Sequence, residues 1–127
     1  DTEIVGDALN VLHAFLHRTG DAGIVGARLL NTDGSIQTSC IQTFPTVLNQ
    51  FLDAEILRRA WPRLPFWGIA PLYAVPPVPA AVEVVSGACV MLQRAVFEQI
   101  GRFSEDYFLY AEDLDLCWKS HRAGRKN

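Results

Sequence analysis

Three carboxylates, Glu112, Asp113 and Asp115, follow the nearly uncharged run Tyr107-Phe108-Leu109-Tyr110-Ala111. A carboxylate partly desolvated by such a run gains proton affinity, which suits it to act as a base near neutral pH. The same acids have a plainer reading. Leu114, Cys117, Trp118 and His121 recur at i, i+3, i+4 and i+7, one stripe of a helix docked on a core. The acids then occupy its first turn, where each gains roughly 0.3–1 kcal/mol from the macrodipole. Lys119, Arg122, Arg125 and Lys126 lie toward its other end, which is the sign the dipole favours there.

Other residue types could join them. Ser86-Gly87-Ala88 interrupts the strand-like run 82–92. Glycine inside a strand marks a bulge or a close backbone approach to a ligand, so these small residues either pack under a helix or leave room for a substrate. Arg58, Arg59 and Arg63 either complement a helix C-terminus or attract an anionic ligand such as a diphosphate. Trp61, Trp67 and Tyr73 either stack on the C–H face of a sugar ring or cover the core. His13 and His17 have the four-residue spacing of helical zinc ligands. The motif reads His-Ala-Phe-Leu-His, with neither a catalytic Glu nor a third ligand nearby, so a solvated helix face is expected.

The elements that must carry these residues alternate. A helix is expected over 7–19, with Asp7 at its start, Gly20 at its end and Ala8, Leu9, Leu12, Phe15 and Leu16 on its apolar face. Residues 23–27 read as a short buried strand. Asp33-Gly34 between strand-like runs signals a hairpin with a primed turn. A helical pattern covers 46–60. The irregular, Pro-rich loop over about 61–81 contains too many prolines for a membrane-spanning helix. Residues 94–100 form a short helix closed by Gly101. This alternation makes the class α/β.

Composition narrows the function. The chain has 127 residues, 50% of them hydrophobic and 20% charged, which fits one folded domain over 1–127. A net charge of −3 disfavours nucleic acid as a partner, because phosphate backbones reward clustered cations. Cys40, Cys89 and Cys117 are odd in number and far apart, so they read as reduced, mostly buried thiols of an intracellular protein.

Taken together, Ser86-Gly87-Ala88, Arg94, Phe97, Gly101-Arg102-Phe103 and the run from Tyr110 to Cys117 resemble the second half of the family 2 glycosyltransferases, the rhamnosyltransferase-like branch above all. The run from Asp21 to Gln37 resembles the same branch, and so does Asp1-Thr2, read as the end of the metal-binding Asn-Pro-Asp-Thr motif. The resemblance covers nearly the whole chain outside residues 40–80. It implies part of a GT-A fold, a nucleotide-sugar transferase sandwich with a mixed sheet flanked by helices. It also implies inverting transfer of a sugar from a nucleotide diphosphate to a hydroxyl of a glycan or lipid-linked acceptor, with Mg or Mn. By position, Asp113 would be the general base and Glu112 would orient it or the acceptor. Ser86, Gly87 and Ala88 would line the substrate floor, and Asp1 would ligate the metal. Where the family often has Phe-Asp-Glu, this chain has Phe103-Ser104-Glu105.

The resemblance further implies the acceptor-side, C-terminal half of a larger enzyme, inactive alone and prone to self-associate through exposed sheet edges. A cytoplasmic protein, peripheral at the membrane face, is expected. Two other classes compete with the transferase: a non-catalytic sugar or nucleotide-sugar binding module, and a metal-dependent phosphohydrolase using Asp113 and Asp115.

Overall fold

The computed structural model describes residues 2–47, 60, 61, 64, 67–107 and 111–127. Helix α1 spans Ala8–Arg18, close to the expected bounds. Leu16 is buried, and Leu12 and Phe15 pack with it against Ala22, Val25 and Met91. Leu9 lies about half exposed, so the apolar face is narrower than the periodicity alone suggests. Strand β1 is Val25–Gly26 and β2 is Ile41–Gln42.

Between them the Asp33-Gly34 turn closes a hairpin bridge from Leu30 to Ile36. The turn is not the primed two-residue type. Gly34 has φ 79°, while Asp33 is not among the described residues at positive φ. Gly34 N–H donates to Asn31 O at 2.9 Å, and Asn31 N–H donates to Ser35 O at 2.8 Å. That is a three-residue loop, a turn ending in one left-handed glycine. Asp33 stabilises it by accepting from Ser35 N and Oγ instead of adopting positive φ itself.

The run 82–92 is two strands rather than one. Strand β3 (Val84–Val85) pairs antiparallel with β2, placing Val85 opposite Ile41. Strand β4 (Val90–Met91) pairs antiparallel with β1, placing Val25 opposite Met91. The interruption at 86–89 lets one segment change partners. Among the described residues the sheets are therefore small and antiparallel. Residues 126 and 127 tie them together. Lys126 makes a parallel bridge to Ala22, and Asn127 O accepts from Val82 N at 2.8 Å.

Helix α2 is Arg94–Gln99 and α3 is Glu112–Arg122. Helix α3 packs mainly on β3, and α1 packs on β1 and β4. The main core joins Ile24, Ile41, Trp67, Ile69, Val84, Val85, Leu116 and Cys117. Trp67 is buried and Tyr73 packs against the core, which settles both as core-covering rings, while Trp61 stays exposed. The described part of the Pro-rich segment is irregular apart from a 3-10 turn at Ala70–Tyr73. The expected helix over 46–60, with Arg58, Arg59 and Arg63, lies outside the described residues except at its flanks. No described helix is long and apolar enough to cross a membrane.

Candidate active site

Helix α3 brings the acids to β3. Its buried stripe is Leu116, Cys117 and Ser120, with half-buried Asp113 one turn before them at the same face. The stripe expected from the sequence was rotated. Leu114 does touch the core, but Trp118 and His121 are exposed. They stack outside with Phe44, whose ring centroid is 4.9 Å from that of Trp118. Apolar periodicity places Trp118 in the docked stripe and leaves Ser120 out of it. Gly23 reverses this, because its missing side chain lets Ser120 sit flush against the backbone.

The helix starts from a constrained position. Ala111, its N-cap, has φ 66°, a left-handed conformation that costs a residue with a Cβ roughly 1–2 kcal/mol. Such outliers gather where surrounding structure holds a functional geometry. The next two residues are Glu112 and Asp113.

Asp113 reaches across to the interruption between β3 and β4. Its Oδ2 accepts the Gly87 N–H at 3.0 Å, and its Oδ1 accepts the Leu114 N–H at 2.8 Å. A Cβ at Gly87 would lie 3.4 Å from Asp113 Cβ, in van der Waals contact with the carboxylate-bearing side chain. Each carboxylate oxygen has two lone pairs, so both can still accept from an incoming hydroxyl.

A cleft of about 160 Å³ opens at this point, with Gly87, Glu112, Asp113 and Phe103 on its walls and Ile24, Val85, Val90, Leu116 and Cys117 beneath. Of the three residues expected at a substrate floor, Gly87 lines this cleft. Ser86 and Ala88 are not among the lining residues, and Ser86 Oγ instead accepts from Ala88 N at 3.3 Å. Asp115 does not face the cleft beside Asp113. It pairs with Lys119 Nζ at 2.7 Å and is not among the cleft's lining residues. Sequence alone places Lys119 only among the cations at the helix end and Phe103 only within the family resemblance, neither at the cleft. The i, i+4 spacing of Asp115 and Lys119 was the available signal.

The metal expected at Asp1 lies outside the described residues. Among the described residues no group of three or more His, Cys, Asp or Glu side chains could hold an ion. His13 and His17 are exposed on α1 with ring centroids 4.3 Å apart and no third ligand among the described residues.

Over 103 residues, 81% of its length, the chain is 34% identical to the N-acetylglucosaminyl-diphospho-decaprenol L-rhamnosyltransferase of two Mycobacterium tuberculosis strains. It is also 39% identical, over 41 residues, to a hexosyltransferase of low-salt glycan biosynthesis from Haloferax volcanii. The matching relatives are glycosyltransferases. The chain spans 33% of the length of the mycobacterial relatives, and the second match covers 32% of the chain and 13% of that relative. No protein-family model and no solved structure matches the chain.

Proposed function

We propose that the full-length protein is an inverting glycosyltransferase of family 2, with a GT-A fold, and that this chain supplies its acceptor side. The observation that carries the reading is Asp113 held by the Gly87 N–H at the mouth of a cleft, in a chain similar to named sugar transferases. An alcohol is a weak nucleophile until a base takes its proton. Asp113 accepts that proton as the acceptor oxygen bonds to the anomeric carbon. The bond from that carbon to the leaving diphosphate breaks in the same displacement, so the configuration inverts. Glu112, exposed at the rim, orients the acceptor.

The donor is a nucleotide diphosphate sugar. The acceptor is a glycan or a lipid-linked sugar, a class supported by the mycobacterial relative's name. The protein works in polysaccharide biosynthesis at the cytoplasmic face of a membrane. Mg or Mn, with Asp1 as a ligand, belongs to the same proposal, and no step above is routed through it.

The test is nucleoside diphosphate release by the full-length protein. It uses a panel of UDP-, dTDP- and GDP-sugars and a lipid-linked or simple glycoside of N-acetylglucosamine, with native protein beside Asp113→Asn. The amide oxygen of Asn can still accept from Gly87 N–H, so the loop should stay in place. Loss of the base should slow turnover on the order of a hundred- to ten-thousand-fold. Equal rates would remove Asp113 from the mechanism. No release with any donor would favour the binding module, and phosphate release without an acceptor would favour a hydrolase. Chelation by EDTA followed by Mn tests the cation.

A further inference from the structure

Phe103 is half exposed, with 50% relative accessibility, yet the backbone at Gly101 and Arg102 that leads into it is fixed in three ways. First, α2 ends in a paired closing motif: Gly101 N–H donates to Glu98 O at 3.2 Å and Arg102 N–H donates to Phe97 O at 2.9 Å. Second, Arg102 itself sits at φ 60°, a left-handed conformation unusual for a residue with a Cβ. Third, Lys119 Nζ, on α3, donates to Arg102 O at 3.1 Å while also pairing with Asp115.

That ion pair differs from the others on this surface. The Lys119 and Asp115 side chains are 26% and 15% exposed, against 88% and 46% for Arg94 and Glu98. Solvent therefore screens it less, and its ammonium is fixed where it can grip the carbonyl. The Phe103 ring meets Phe97 edge-on, with centroids 5.5 Å apart, and still forms part of the cleft wall with Asp113. Packing on Phe97 alone would not require the tether to the helix that carries the base.

We propose that Phe103 is an acceptor-selecting wall of the cleft, and that Lys119 is the positioning residue that holds it at a set distance from Asp113. The ligand class is a hydroxyl-bearing ring with an apolar C–H face, laid on the Phe103 ring so that one hydroxyl points at the carboxylate. This rests on the transferase reading above for its role in turnover, but not for binding.

The test uses the full-length protein and octyl N-acetyl-β-glucosaminide as probe. Binding is followed by NMR with ring-labelled phenylalanine, and transfer by steady-state kinetics with donor and acceptor varied separately. Phe103→Ala and Lys119→Met should each weaken glycoside binding and raise the acceptor KM on the order of tenfold, with donor KM and kcat close to native. Lys119→Arg should restore both. Amide exchange over residues 101–105 should quicken in Lys119→Met while that of α3 stays native.

If Phe103→Ala binds the glycoside and transfers like native protein, or if native protein shows no contact between glycoside and Phe103, the inference is overturned. A Lys119→Met protein that loses stability with an unchanged acceptor KM would reduce Lys119 to a structural tie and overturn its role. If instead Asp113→Asn is fully active while binding still depends on Phe103, the base assignment fails and this one stands.

Discussion

At the scale of single residues, burial decides which groups are reactive. Burial pushes the Cys117 thiol from 9.0 up to about 11, with the Asp113 charge adding to the rise. Burial also raises Cys40. Thiolates, not thiols, are the nucleophiles, so at pH 8 iodoacetamide should modify half-buried Cys89 first and Cys40 and Cys117 slowly. Mass spectrometry of partially labelled protein reads the order, and early labelling of Cys117 would contradict its burial under α3. The raised value also sets a pH dependence. The folded state keeps Cys117 protonated where the unfolded chain has lost the proton, so unfolded molecules bind fewer protons and stability falls as pH rises. The contribution is fully present below about 9 and is lost progressively toward about 11. Urea midpoints at pH 8 and pH 11 should differ by less in Cys117→Ala than in native protein. The spacing of three distant cysteines reads as reduced thiols, but it could not rank their reactivity.

At the scale of elements, α3 shows how periodicity can find a helix and misplace its face. The sequence put the acids in the first turn, and that is where they lie. It put Trp118 in the docked stripe because a large apolar ring outweighs a serine in any hydrophobic count. The two faces differ in what their removal costs. Leu116→Ala should lower stability by about 2–5 kcal/mol, since the side chain is almost fully buried and leaves a cavity on β3. Trp118→Ala should cost clearly less, because the residue is 45% exposed and its ring meets those of Phe44 and His121 at the surface. Denaturant titration of the two variants checks the order, and a reversed order would restore the stripe read from the sequence. The short strands follow the same logic. Alternation found the run 82–92, but hydrogen-bond partners, set by distant segments, split it at 86–89 into β3 and β4.

At the scale of the whole molecule, close contacts between distant segments fix the angle at which α3 meets the sheets. Gly23 is one such contact. A Cβ there would clash with Ser120 Oγ and stand 2.7 Å from Arg125 Cβ. Gly23→Ala should therefore destabilise by about 1–3 kcal/mol through overpacking and should shift α3, lowering turnover of the full-length protein beyond the stability loss. Thermal unfolding with parallel kinetics tests this, and a variant of native stability would show that the contact gives way freely. The sequence by itself determined the α/β alternation, the acids at a helix start, the left-handed glycines at 34 and 101, and the resemblance that named Asp113. These are local properties, encoded within a few residues of where they act. Only the tertiary structure decided that Gly87, and neither Ser86 nor Ala88, lines the cleft. It alone paired Asp115 with Lys119 and brought Phe103 to the same cleft as Asp113. Those placements depend on which side chains meet across long sequence separations, and neither periodicity nor spacing carries that information.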